Sequence, residues 1–495
     1  MKRYLTLLFV LCSGILSAQD YQQICRPGIT FFKGTDGYFK AFRRDSVAPA
    51  GNNDTLFFSY PAVRDSTGFS AFVCRDTTAG DALGVKVLKQ HDGWFRFFNR
   101  THDTLSINTQ AAVNDSWRYC TLGGGNYLLA TVTAILTDSV INTTDLVKVI
   151  SLQAKNSAGG NISGIFNGKS IKLSKHYGLT RFFDVYRTPA DTAELTLAAS
   201  TIPPMGPQPF GWQEVYDFQV GDEFHYHILD TYGSIGMESK VIKTVVSKTV
   251  YGNNDSVHYS VERCTKSWYP MPPPNTQTSH DTVTLSFNFH ALAEDPSVSL
   301  LPDEFLHVTF FSTNDVLPLA ARKGEVYNNR LVQQFNSQGL YYNGTCYNDP
   351  FEVYGPEYWY SSGLGCTLVY RLEADINVHQ YREELVYFRK GTETWGTPVA
   401  GNCDALLTGT KEISPEQGMA VYPNPAISEI RVSIQPAVKP GKYTLTDLSG
   451  RQVSGGKVAG NSFVIQRNQL AGGIYLLIVT DADGRMVSRS KVVFE

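Results

Sequence analysis

Apolar and polar residues alternate along most of the chain with a period of two. Val257, Tyr259 and Val261, for example, interleave with Ser256, His258, Ser260 and Glu262. On a strand this pattern buries one face and wets the other, as antiparallel meanders do. Asn167-Gly168, between Ile165-Phe166 and Ile171, is a type I′ hairpin signal. The run Pro270-Met271-Pro272-Pro273-Pro274 reads as a long hairpin loop. Helical periodicity is scarce, and residues 319–336 are the only stretch expected to be helical. The pattern predicts a mainly β protein.

Breaks in the rhythm divide the chain. Strand-like runs fill residues 19–202 and resume over 211–410, on either side of the Pro-rich linker 203–210. Proline gives no ladder N–H, so Pro203-Pro204-Met205-Gly206-Pro207-Gln208-Pro209 is expected to hold no regular pairing. A polar linker at 411–420 precedes a compact module at 421–495. The expected architecture is two tandem related antiparallel β domains followed by a small Ig-like β-sandwich.

The two larger blocks look like copies of one unit. Asn114-Asp115-Ser116-Trp117-Arg118-Tyr119 opens a run in the first, and Gly221-Asp222-Glu223-Phe224-His225-Tyr226 opens one in the second. Further on, Val132, Ile135, Val140 and Asp145 meet Ile242, Val245, Val250 and Asp255 at a constant offset of 110. Each copy then has an Asn-containing turn between two strands.

Composition agrees with a β-rich globular chain. Of 495 residues, 42% are hydrophobic and 18% charged, with 27 Tyr and 28 Phe, which pack well on pleated surfaces. The net charge is −3, made of an acidic body and a basic tail with no basic stripe, which argues against nucleic acid. Lys2 and Arg3 followed by the apolar run Tyr4–Ile15 predict a signal peptide over 1–18, cleaved between Ala18 and Gln19. Removing it leaves Cys25, Cys74, Cys120, Cys264, Cys346, Cys366 and Cys403, without a C-x-x-C pair. Cys346 with Cys366 is the most local candidate disulfide, and an odd count leaves at least one thiol free or bonded to another chain.

Candidate chemistry is sparse. His225 and His227 share a strand face and have the spacing of a metal chelate, but no third ligand is evident, so no metal is assigned. Gly168-Lys169-Ser170 lacks the leading glycine of a phosphate loop, since position 163 is Ser163. No G-x-S-x-G or H-E-x-x-H motif occurs, and no cofactor or catalytic residue is assigned. Glu214, Asp217, Asp222 and Glu223 are carboxylates that a glycosidase could use if two faced each other across a cleft. Trp395 reads either as a sugar-stacking platform or as a core plug.

The tail carries the densest motif set. Tyr422-Pro423-Asn424-Pro425 opens it. Asp447-Leu448-Ser449-Gly450-Arg451 forms a turn, Leu470-Ala471-Gly472-Gly473-Ile474-Tyr475 launches a buried strand, and Lys491-Val492-Val493 closes the chain. Residues 421–495 resemble the type A C-terminal sorting domain of the type IX secretion system. The motif positions are Tyr422, Pro423, Asn424, Pro425, Asp447, Gly450, Gly473, Tyr475 and Lys491. The resemblance implies a Bacteroidota source, passage through the outer membrane with the translocon as partner, and removal of the domain by a cell-surface sortase. It also implies transfer of the body onto anionic lipopolysaccharide, or release. The body itself resembles no characterised family. It is expected to be a non-enzymatic binding, adhesion or envelope protein with an extracellular ligand; the alternative is a secreted hydrolase acting on polysaccharide or peptide. Six Asp-Ser/Thr-aliphatic triplets, such as Asp45-Ser46-Val47 and Asp138-Ser139-Val140, are similar to O-glycosylation acceptors of exported Bacteroidota proteins.

Overall fold

The computed structural model describes residues 21–495 apart from 66–73, 234, 271–274, 307, 311–313, 343, 345, 349–352, 374–377, 409–418, 435–440, 459 and 482–485. The expected signal peptide with Ala18 and Gln19 lies outside the described residues. So do most of the 411–420 linker and part of the last turn expected in the tail. The protein is mainly β and forms two compact units, Met1–Leu407 and Thr408–Glu495.

Among the described residues the larger unit holds a 13-stranded and a 14-stranded sheet, both antiparallel. In each, the first long strand lies beside a late one. Ile29–Gly34 pairs with Glu194–Thr201, and Glu223–Tyr232 pairs with His379–Lys390. Period-two patterning drives both sheets. In Trp94–Phe98, Phe95 and Phe97 are buried while Arg96 is exposed. The core of the first sheet is interlocked by edge-to-face rings, Phe32 on Phe182 at 4.8 Å and Phe166 on Phe183 at 5.1 Å between centroids. Lys148 lies inside this core, where Nζ donates to the carbonyls of Thr109 (2.8 Å) and Ala111 (2.6 Å) beneath the Tyr21 ring. Burial pushes its pKa down to about 8.

The two sheets share a core. Phe31, Phe39 and Ala199 of the first sheet pack with Tyr360 of the second and with Tyr60, Trp212, Val215 and Leu301 from the segments between strands. A further exchange crosses position 202: Arg64–Asp65 and Arg75–Asp76 join the second sheet, where Arg75 pairs with Tyr347. The neighbouring disulfide Cys74–Cys346 spans 272 residues, and Cys264–Cys403 spans 139. The expected Cys346–Cys366 bond therefore does not form; Cys25, Cys120 and Cys366 are free thiols.

Three local expectations are corrected. Residues 319–336 are not helical: Asn314–Val326 and Arg330–Tyr342 form an antiparallel hairpin. Bulges between Leu317 and Leu319 and between Lys323 and Val326 interrupt its alternation and hide the strand pattern. The Pro-rich stretch does make a ladder, because Pro204–Met205 pairs with Thr201 and Ser200 at a sheet edge, where proline is tolerated. At Asn167-Gly168 the chain makes a turn with only Gly168 at positive φ, where type I′ needs two such residues, and no strand precedes it.

The two block openings share a backbone arrangement. Asp115 accepts from Ala112 N through Oδ2, Asn114 N donates to Val132 O, and Val132 N returns to Asp115 O. Asp222 accepts from Gln219 N, Gly221 N donates to Val245 O, and Val245 N returns to Asp222 O. Bulges follow directly, between Val132 and Ala134 and between Val245 and Ser247. Val132 thus corresponds to Val245, not to Ile242 as the constant offset had it. Beyond this hairpin the neighbours differ: Thr143–Lys155 pairs next with Ser170–Ser174, whereas Ser256–Tyr269 pairs with Asn275–Asn288.

The tail unit is a β-sandwich. One sheet orders Met419–Tyr422, Glu429–Ile434 and Ser462–Gln466; the other orders Gln452–Lys457, Lys442–Thr446, Gly473–Thr480 and Met486–Phe494. Ile430, Val432, Leu445, Ile465, Leu477, Val479 and Val492 fill the space between. Gly473–Thr480 is buried on one face only: Tyr475, Leu477 and Val479 point inward, while Ile474 and Leu476 are exposed.

Candidate functional site: the sorting domain and an aromatic cavity

In the tail, the opening motif is tied to the closing one. Asn424 Nδ2 donates to Lys491 O at 2.7 Å, and its Oδ1 accepts from Val493 N at 2.8 Å. The next residue but one, buried Ala426, exchanges backbone hydrogen bonds with Val493 and Glu495 at 2.9 Å each. The segment after Tyr422 therefore docks on the last strand, and Pro423 and Pro425 flank the asparagine that holds it. Asp447 organises its turn by accepting from Ser449 N, Ser449 Oγ, Arg451 N and Arg451 Nε, and Gly450 takes the positive φ the turn demands. The Ser449 hydroxyl, followed by the Arg451 contacts, holds the Asp447 carboxyl below its ordinary pKa. Gly473 starts the central strand, where Tyr475 packs edge-on against Phe494 and donates its hydroxyl proton to Ala471 O at 2.7 Å. Sequence reading passed over Arg467. Its guanidinium donates to the carbonyls of Ile427, Leu470 and Glu495, joining two loops to the end of the last strand, and its only sequence signal is a charge beside an apolar run.

Residues 420–495 match the family described as secretion system C-terminal sorting domain.

The tail is a secretion system C-terminal sorting domain.

It supports export by the type IX secretion system, to the cell surface or medium. No curated protein matches the chain. Among solved structures, PorZ, a surface component of the type-IX secretion system of Porphyromonas gingivalis, is 8% identical with a TM-score of 0.15 over 93% of this chain and 96% of that one. The extracellular domain of a one-component system of B. thetaiotaomicron gives 8% and 0.15 over 95% and 97%. Backbones at such a score do not superpose, so neither likeness bears on the sorting domain's cargo. No helix among the described residues is long and apolar enough to cross a membrane.

An aromatic-lined space lies on the inner face of the second sheet. A cavity of about 180 Å³ is bounded by Tyr216, Phe224, Tyr226, Leu285, Phe287 and Cys366, among others. Alternation along Glu223–Tyr232 and Asn275–Asn288 sends Phe224, Tyr226, Leu285 and Phe287 inward. Tyr216 stacks on Phe287 with centroids 3.7 Å apart, and Trp212 stacks on Tyr216 at 5.8 Å. Tyr259 fixes the segment carrying Tyr216, donating to Tyr216 O (2.7 Å) and accepting from Phe218 N (3.2 Å). Gly365 is required at the rim: its φ is +73°, and a Cβ there would meet the Phe218 ring at 3.0 Å.

One polar group set enters this space. Lys243 Nζ sits 4.2 Å above the centre of the Tyr226 ring and 3.4 Å from Glu383 Oε1, while Tyr381 donates to Glu383 Oε2 at 2.8 Å. Lys243 stands between Val241 and Val245 on the inward face, a readable signal that sequence analysis did not use. Burial, and then the Glu383 charge, pushes the Tyr226 phenol well above its ordinary pKa. Burial likewise pushes the Cys366 thiol up to about 12, so it is no nucleophile at neutral pH.

The residues weighed for chemistry do not converge. His225 is buried on the opposite face under Val399, whose N–H donates to Nδ1, and its Nε2 meets Glu223. His227 meets Glu238 instead. Burial lowers the His225 pKa. Each candidate carboxylate has its own partner. Glu214 caps Gly211 N, Asp217 pairs with Lys248, Asp222 with Lys390, and Glu223 with Arg389. Gly168-Lys169-Ser170 leads into the strand Ser170–Ser174 rather than a helix. Trp395 packs on Tyr327 and Phe388 as a plug.

Proposed function

We propose that the chain is an exported ligand-binding protein of a Bacteroidota cell envelope. A signal peptide ending at Ala18 starts its export. The sorting domain then takes it across the outer membrane through the type IX translocon, and a surface sortase removes that domain. The body is released or transferred to anionic lipopolysaccharide. The motif residues Tyr422 to Pro425, Asp447, Gly450, Gly473, Tyr475 and Lys491 act by building the surface that the machinery reads. The paired openings at Asp115 and Asp222 support descent of the two sheets from one duplicated unit.

For the cargo, the observation that carries the reading is the cavity between Tyr216, Phe224 and Phe287. An apolar cavity of about 150 Å³ suffices to bind benzene, so this one fits a single aromatic ring or a compact aliphatic group. The Lys243–Glu383 pair would meet a polar substituent. The hydrolase alternative loses support because every carboxylate weighed for it is engaged in a structural contact.

Calorimetric titration of the full chain with p-cresol and indole tests this. Saturable binding near one equivalent is expected, abolished by Leu285→Trp, which fills the cavity. No heat of binding, or binding that survives Leu285→Trp, overturns the proposal.

A further inference from the structure

On the outer face of the second sheet, away from the aromatic cavity, four ligating side chains meet. Glu262 and Cys264 are two residues apart on the strand Ser256–Tyr269 and so share a face. His280 faces Cys264 directly across the ladder to Asn275–Asn288. Cys403 comes from the short helix Cys403–Thr408, which lies over that face with Leu406 packed on Ile242 and Cys264. One donor atom from each residue lies within 4.8 Å of the other three. Tetrahedral zinc needs donors roughly 3.3–3.8 Å apart, given ligand bonds of about 2.0–2.3 Å. Small side-chain rotations reach that spacing once the two sulfurs are no longer bonded.

The sulfurs are bonded here, as the Cys264–Cys403 disulfide. The remaining pair is already poised: His280 Nε2 and Glu262 Oε1 are 2.6 Å apart and share a proton that a metal ion would displace. Cys264 is buried, Glu262 and Cys403 are half-buried and His280 is exposed, so solvent reaches the cluster from the histidine side over an apolar floor. Two thiolates, one imidazole and one carboxylate form a donor set that favours Zn²⁺ over hard cations.

We propose that this cluster is a redox-gated zinc site. In the oxidised chain the disulfide occupies it. Exchange with an external dithiol breaks the S–S bond, the dithiol leaves as its own disulfide, and Cys264 and Cys403 become thiols. One Zn²⁺ then binds through both sulfurs, His280 and Glu262; the two thiol protons are released, and the proton on His280 Nε2 moves to Nδ1. The reverse exchange, with an external disulfide that is itself reduced to its dithiol, re-forms the Cys264–Cys403 bond, ejects the metal and restores the staple on the 397–408 segment. Disulfide and metal are mutually exclusive states of one site.

The test uses the full chain reduced anaerobically with a phosphine, with Co²⁺ as the spectroscopic probe and Zn²⁺ as competitor. The expected result is one tightly bound Co²⁺ with thiolate-to-metal charge transfer and tetrahedral ligand-field bands, displaced by one equivalent of Zn²⁺. His280→Ala, at an exposed position that leaves the disulfide intact, should weaken binding at least about tenfold. The signal should persist when Cys74 and Cys346 are both changed to Ser and vanish in Cys403→Ser. Absence of the charge-transfer band in the reduced wild-type chain overturns the proposal. So does unchanged affinity in His280→Ala, or a signal that follows Cys74 and Cys346.

Discussion

Replacing Asn424 with Ala should loosen the tail far more than an exposed position usually would. The substitution deletes both bonds that join the opening motif to the last strand, Nδ2 to Lys491 O and Val493 N to Oδ1. A net hydrogen bond contributes about 0.5–1.5 kcal/mol, and water can reach both backbone groups, so the loss should be about 1–2 kcal/mol. The tail is its own compact unit with its own core, so the fragment 408–495 is the object to melt. For a domain of this size each kcal/mol moves the midpoint by roughly 4–8 °C, which places the expected drop at roughly 5–15 °C. Circular dichroism melts of the fragment and its variant measure it. Superimposable melting curves would refute the view that Asn424 ties the two ends of the domain together.

Two further outcomes follow from buried groups in the cargo. Lys148 has a folded pKa of about 8 against an ordinary 10.5, so below pH 8 both states are protonated and the penalty is constant. Between those values the unfolded chain holds more protons, and stability rises with pH, by about 1.5 kcal/mol from pH 8 to 9.5. Chemical denaturation at the two pH values should show this rise in the wild type and its absence in Lys148→Met; equal pH dependence would contradict it. Cys366, with its thiol pushed up to about 12, should be alkylated by iodoacetamide at neutral pH at least about a hundredfold more slowly in the folded chain than after denaturation. Rapid stoichiometric labelling of the native protein, read by mass spectrometry, would show the cavity to be open and wet.

What could be read from sequence was what local periodicity encodes. Val257, Tyr259 and Val261 are buried as their spacing requires, and the turn at Asp447–Arg451 forms where its residues predict. The errors arise where a longer-range partner decides. Residues 319–336 belong to a hairpin whose bulges break the alternation, so propensity and pattern gave no strand signal. Pro204 pairs because an edge strand leaves its missing N–H without cost. Disulfide partners separated by 272 and 139 residues carry no local mark. His225 had the spacing of a metal ligand, and nothing in its own strand announces that residues 397–408 return to cover it. The cavity was half legible: the aromatic positions alternate correctly, and Lys243 between two valines marks an inward charge, but its partner Glu383 is 140 residues away.

The central claim is that residues 420–495 carry the cargo out of the cell. Its most direct test is to express the full chain and a version lacking residues 420–495 in a host with a type IX system, and to assay periplasm, cell surface and medium for the body. The account predicts that the full chain reaches the surface or medium while the truncated one accumulates in the periplasm. Surface display or release of the truncated body at the level of the full chain would contradict it.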